Sequence, residues 1–254
     1  MASADGALND GERDALAGRW LEVRRRVEGA ATRAGRPAPL LIAVSKGQSA
    51  SAVRAAYALG QRDFGENYVQ ELTQKAAALA DLAELRWHVI GHLQRNKVKV
   101  VVEHAQAVHS VDSPALAAEL DKRMTGREVP ARRRVFGDDG RLPVLAEVSI
   151  AGEAQKSGCE PRELVGLLTA LEAAPALRLV GLMCVPPFDA EPEASGPYFA
   201  ALARLRDEHG GRSRLPELSM GMTADFEHAI AAGATVVRVG TAIFGPRAPR
   251  VGGE

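Results

Sequence analysis

Aromatic residues make up only 4% of this 254-residue chain, so its core has to be built from alanine, leucine and valine. The apolar fraction of 46% is still ample for a sizeable core. Cysteine is nearly missing: Cys159 and Cys184 share no metal-ligand spacing and are too few for a disulfide framework. Net charge is missing too. With 32 basic and 32 acidic side chains, no global field steers the protein toward nucleic acid or a membrane surface. No apolar stretch is long enough to span a bilayer, and Met1–Asp14 lacks the apolar segment of a secretion signal. These absences leave the expectation of a soluble cytoplasmic protein.

What is present is a regular alternation. Leu16, Trp20, Val23 and Val27 mark a helix over residues 11–33, ahead of everything else. Short apolar runs then alternate with helical patterns. Strands are expected at 40–45, 62–64, 86–90, 107–111, 142–150, 177–185, 217–219 and 235–239. Helices are expected at 50–59, 66–80, 94–104, from Ser113-Pro114 onward, 161–173, 194–209 and 224–232. Eight strands, each separated from the next by a helix, predict one (β/α)8 TIM-type barrel over residues 1–254, with an extra N-terminal helix. An open dinucleotide-binding sheet is disfavoured, because no G-x-G-x-x-G follows the first strand. Residues 1–10 and 247–254 are expected to be disordered tails. Residues 126–141, with Arg132-Arg133-Arg134 and Gly137-Asp138-Asp139-Gly140, read as a mobile loop whose arginines are solvated.

Lys46 closes the apolar run Leu40–Ser45. An ammonium at the end of a core strand loses hydration that few neighbours replace. Either a buried ion pair or a role as an amine nucleophile makes it tolerable. In barrels of this kind the active site lies at the C-terminal strand ends, and the loops after strands seven and eight often hold phosphate. Here those loops are Ser219-Met220-Gly221-Met222-Thr223 and Gly240-Thr241-Ala242-Ile243-Phe244-Gly245. Glycines allow close approach of the backbone, and hydroxyls supply donors. Capping of ordinary turns by serine and threonine is the competing reading. Alternation puts Arg238 on the same side of strand eight as Val236 and Gly240. It needs an acceptor there, either a carboxylate or a ligand atom.

A lysine nucleophile, a phosphate cup and an interior arginine together suggest pyridoxal phosphate. The chain resembles the pyridoxal phosphate homeostasis protein family, relatives of the alanine racemase barrel. The resemblance rests on Ala43-Val44-Ser45-Lys46, Phe64–Glu71, Trp87–Lys97, Gly152–Gly158, Gly181-Leu182-Met183, Leu218–Met222 and Val237–Gly245. It implies that Lys46 holds the cofactor as a Schiff base. It implies that Ser219, Gly221, Gly240 and Thr241 bind the phosphate, that Arg238 faces the pyridine nitrogen, and that Asn67 and Met220 line the pocket. It also implies binding and buffering of the cofactor without established turnover, with apo-enzymes that use pyridoxal phosphate as conceivable recipients.

Two alternatives stay open. One is a weakly active amino-acid racemase using the same lysine. A racemase of this fold takes its second acid/base, a tyrosine, from an added β domain. Only Pro246–Glu254 follow the last strand, so that domain is expected to be absent and a monomer is favoured. The other is a lysine Schiff-base aldolase without cofactor. His88 and His92 share a face of strand three, but no third metal ligand is evident, and one core histidine with one at the mouth is the expectation. Lys156 is expected in a polar loop, either in a surface salt bridge or beside the pocket.

Overall fold

The computed structural model describes residues 7–152, 157–187 and 191–246. Eight parallel strands close into a barrel in sequence order. They are β1 Leu40–Val44, β2 Asp63–Glu66, β3 Arg86–Val89, β4 Ala105–Val111, β5 Leu142–Glu147, β6 Leu177–Met183, β7 Glu217–Ser219 and β8 Val236–Val239. Closure is made by β8 against β1, with Leu40 opposite Val236 and Ile42 opposite Arg238. The helices between them are α2 Ala50–Ala58, α3 Val69–Ala78, α4 Val98–His104, α5 Pro114–Met124, α6 Leu164–Glu172, α7 Gly196–Glu208, α8 Gly211–Arg214 and α9 Phe226–Ala231. The expected barrel is therefore present. A short α10, Thr241–Phe244, follows β8.

The extra N-terminal helix α1 spans Asp10–Arg33. Asn9 accepts from the Glu12 N–H while the Glu12 carboxylate accepts from the Asn9 N–H, a capping box worth about 1 kcal/mol. Residues 9 and 10 thus belong to a helix start, not to a disordered tail. Leu16, Trp20, Val23 and Val27 are buried on its inner face, and Arg19 donates to the carbonyls of Ile243 and Phe244 at the end of α10. The cation there meets the negative end of the short helix.

Three local expectations are corrected. Strand two continues to Glu66, and the next helix begins only at Val69, because Gly65 and Glu66 pair with His88 and Val89 of β3. The expected helix 94–104 is split into a 3-10 turn, Arg95–Lys97, and α4. The arginine run at 132–134 is not simply solvated. Arg133 donates to the carbonyls of Ala83 and Leu82, and Arg134 to those of Val129 and Asp138. Arg133 thus ties the segment to the turn before β3 at the lower, N-terminal end of the barrel, and Arg134 braces the segment internally. Phe136 enters that end and packs with Leu145, Val180 and Met183. Residues 1–6, 247–254 and Lys156 lie outside the described residues.

Candidate functional site

The C-terminal ends of the strands surround a cleft of about 470 Å³, within the roughly 300–1,000 Å³ usual for small-molecule sites. Lys46, Asn67, Arg238, Gly240 and Thr241 all line it. Five of the eight expected site residues are therefore brought together from β1, β2 and β8. Ser219, Met220 and Gly221 do not line it, and the reason is strand geometry. Ser219 points into the lumen one layer below the cleft and is fully buried. Met220, next along, points to the opposite side and sits in the core under the helices. Gly221 turns the chain at φ 92°, and a Cβ there would come within 2.5 Å of Ala229 Cβ. That turn delivers Met222 and Thr223 to the cleft instead. The sequence shows the hydroxyl at 223 but not the phase of the turn that carries it.

Lys46 stands at the crest of a turn that is clamped on both sides. Lys75 of α3 donates to the Ser45 carbonyl (2.6 Å), to Glu66 (2.7 Å) and to Glu71 (2.9 Å). The Ser45 hydroxyl donates to the same Glu66 oxygen (2.6 Å), and the Gly47 N–H donates to Glu71 (2.6 Å). Both neighbours of Lys46 are thereby fixed by one buried cation and two carboxylates. The buried ion-paired lysine of this region is Lys75, while Lys46 is half-buried and faces the cleft. Burial pushes the Glu66 carboxyl up, more than Lys75 and Ser45 pull it down. Sequence reasoning missed this clamp because it placed Glu66 in the helix. The one visible signal was the Glu71/Lys75 pair at i,i+4.

Arg238 finds neither a carboxylate nor only solvent. Its guanidinium donates to the Ser219 hydroxyl (2.7 Å) and to the Cys184 carbonyl (2.9 Å), and its remaining edge borders the cleft. Burial pulls its pKa down from the ordinary arginine value, but guanidinium stays charged in proteins. Asn67 lines the same cleft, and its buried side-chain oxygen has no hydrogen-bond partner. An orphaned buried amide group beside an arginine edge and a lysine fits a polar ring. Thr223, Gly240 and Thr241 line the cleft together, and the Gly240 N–H lies 3.4 Å from the Thr223 hydroxyl, so two hydroxyls and a backbone turn of the kind that holds phosphate meet there; a Cβ at Gly240 would press on Val44 of β1.

Of the two histidines, the expected core one is present, while the other is at the surface and does not line the cleft. His88 is fully buried and hydrogen-bonded to Asp63 and His109, whereas His92 is exposed and pairs with Asp112 at 3.3 Å. No group of three metal-ligating side chains occurs among the described residues. Cys159 and Cys184 are free and buried, and burial pushes both thiols up to about 12, which leaves them inert. Among the described residues, no helix is long and apolar enough to cross a membrane.

The family model "Alanine racemase, N-terminal domain" matches residues 21–248. A Pseudomonas aeruginosa protein named pyridoxal phosphate homeostasis protein is 47% identical over 229 residues, 89% of this chain and 93% of that one. The Homo sapiens protein of the same name is 39% identical over 240 residues, 89% of this chain and 84% of that one. Among solved structures, Synechococcus elongatus PipY with PLP bound superposes with a TM-score of 0.74 at 37% identity, covering 91% of this chain and all of the other, 100%. Alanine racemase from Corynebacterium glutamicum shares the fold at a TM-score of 0.63 and 19% identity, with 95% of this chain covering 63% of that one.

Proposed function

The chain belongs to the pyridoxal phosphate homeostasis protein family, built on the alanine racemase N-terminal domain, and from that premise we propose that it binds and buffers pyridoxal phosphate. The observation that carries this reading is the convergence of Lys46, Asn67, Thr223, Arg238, Gly240 and Thr241 on one cleft. Lys46 would hold the aldehyde end of the cofactor through its side-chain amine. Thr223, Gly240 and Thr241 hold the phosphate, and Arg238 faces the ring nitrogen as a donor.

When bound, pyridoxal phosphate supplies an aldehyde and an electron-withdrawing ring. An arginine at the ring nitrogen keeps that nitrogen unprotonated, so the ring is a weaker electron sink than a carboxylate partner would make it. A racemase of this fold needs a second acid/base, a tyrosine. None of the described residues lining the cleft is a tyrosine: Tyr57 and Tyr198 lie within α2 and α7, and Tyr68 caps α3. Asp225 reaches the cleft, but its carboxylate accepts the Met222 N–H at 2.7 Å and fixes the turn. The family name, shared by relatives at 47% and 39% identity, favours a carrier over a racemase, and apo-enzymes that use pyridoxal phosphate are the recipients we propose for it.

Absorbance spectroscopy tests the reading. Incubation with pyridoxal phosphate is expected to give a yellow protein whose band survives desalting, and Lys46→Ala is expected to lose that band. A wild-type protein that stays colourless would sink the proposal. Rapid deuterium exchange at the α-carbon of alanine by the loaded protein would instead favour the racemase.

A further inference from the structure

Below the cleft, a line of polar side chains crosses the barrel. Arg238 donates to Ser219 Oγ (2.7 Å), which lies 2.9 Å from His109 Nδ1. His109 Nε2 lies 3.0 Å from His88 Nδ1, and His88 Nε2 lies 2.9 Å from Asp63 Oδ1. Asp63 is held in turn by both nitrogens of an Arg86 fork. Because β4 and β7 are not neighbours in the sheet, the His109–Ser219 bond has to cross the lumen.

The two ends of this line dictate every hydrogen between them. Arginine only donates, and an ionised carboxylate only accepts. Ser219 Oγ, already accepting from Arg238, gives its own hydrogen to His109 Nδ1. That leaves His109 with its hydrogen on Nε2, pointing at His88 Nδ1. His88 then carries its hydrogen on Nε2, pointing at Asp63. The reverse arrangement requires an imidazolium at His88, a third cation beside Arg86 and Arg238. It would also strand the Ser219 hydrogen, fully buried, without an acceptor.

We propose that Ser219, His109, His88 and Asp63 form a one-way hydrogen-bonded chain that positions the Arg238 guanidinium at the floor of the ligand cleft. The lower end of the barrel thereby sets the orientation of a group at the upper end. His109 is held neutral: burial first, and then the nearby Arg238 cation, pull its pKa well below the ordinary value. Phe136 shields the pair from below: its ring meets both imidazoles edge-on at 6.1 Å. It does so at φ 58°, a left-handed conformation rare for an aromatic residue. A strained backbone that persists is over-determined by its surroundings. Here the surroundings are the histidine pair and the apolar cluster of Leu145, Val180 and Met183.

The proposal rests on the pyridoxal phosphate reading only for what Arg238 faces, so its test has two independent arms. Nitrogen-15 NMR of the ligand-free protein at neutral pH is expected to show both imidazoles neutral, each with its hydrogen on Nε2. A hydrogen on Nδ1 of either ring, or an imidazolium at His88, would overturn the chain whether or not pyridoxal phosphate binds. In the second arm, His109→Leu is expected to bind pyridoxal phosphate about tenfold more weakly and to shift its absorbance maximum. His109→Gln, whose amide both donates and accepts, is expected to restore both. A folded His109→Leu protein with unchanged affinity and spectrum would overturn the positioning role.

Discussion

At the lower end of the barrel Asp63 is fully engaged by Arg86 and His88, whereas at the upper end Asn67, Glu66 and Glu147 each keep one buried oxygen without a partner. All three orphans lie at or just past the C-terminal ends of strands β2 and β5. A buried polar atom left unpaired costs about 1–3 kcal/mol; of these three only Asn67 lines the cleft, and it is there that a ligand atom would complete the set. The lower end holds its shape by itself; the upper end holds an opening. The clamp beside Lys46, built on the other oxygen of Glu66, frames that opening.

Lys75→Met is expected to have the largest effect on this contrast. It would leave Glu66 and Glu71 crowded without their cation, at a cost of about 3–5 kcal/mol, the usual result of breaking a buried ion pair from one side. Thermal unfolding would measure it. A Tm within a degree or two of wild type would mean that the turn at Lys46 is fixed by something other than the clamp.

The pH dependence of stability should have opposite signs at the two ends. Burial raises the Asp63 carboxyl, but the hydrogen bonds from His88 and Arg86 outweigh it and bring the pKa below the ordinary value. Its contribution is therefore present above the unfolded value and is lost as pH falls through the lowered one. Asp63→Asn should cost about 2 kcal/mol at neutral pH, with the gap to wild type closing in acid. Glu147 behaves in the other sense. Burial, partly offset by Ser157, raises its pKa, so the native state binds its proton more readily than the unfolded chain. Glu147→Gln should stabilise the protein by about 1 kcal/mol at pH 8, and that advantage should fade as pH falls through the raised value. Unfolding curves across pH 3–8 would show both trends. Two gaps of the same sign would remove the contrast between the ends.

The legibility of the sequence follows the same division. The barrel could be read because eight apolar runs alternate with helical ones, and Lys46 because a cation ends the first run. Arg238 could be read as interior because it sits within the β-branched run Val236–Val239. The polar line through the lumen could not be read. Asp63, His88, His109 and Ser219 come from four strands and meet only when the sheet closes. Glu66 was misplaced because a four-residue strand has too few alternations to declare its end. Phe136 was hidden in a segment whose composition reads as a solvated loop, and only tertiary contacts turn it inward.

The smallest expected effect on stability tests the turn after β7, where the residues expected at the phosphate and those that line the cleft differ. Gly221 reverses the chain so that Thr223 faces the cleft, while Met220 stays among the core side chains beneath α9. Thr223→Val keeps the shape and removes one hydroxyl donor to an anionic group, so pyridoxal phosphate should bind about tenfold more weakly with little change in Tm. Met220→Leu conserves volume and should cost less than about 1.5 kcal/mol of stability while leaving affinity unchanged. Fluorescence or absorbance titration measures the affinities, and thermal unfolding the stabilities. The reverse pattern, affinity lost at residue 220 and kept at 223, would mean that the turn has the other phase when the ligand is bound, and that the upper end rearranges where the lower end does not.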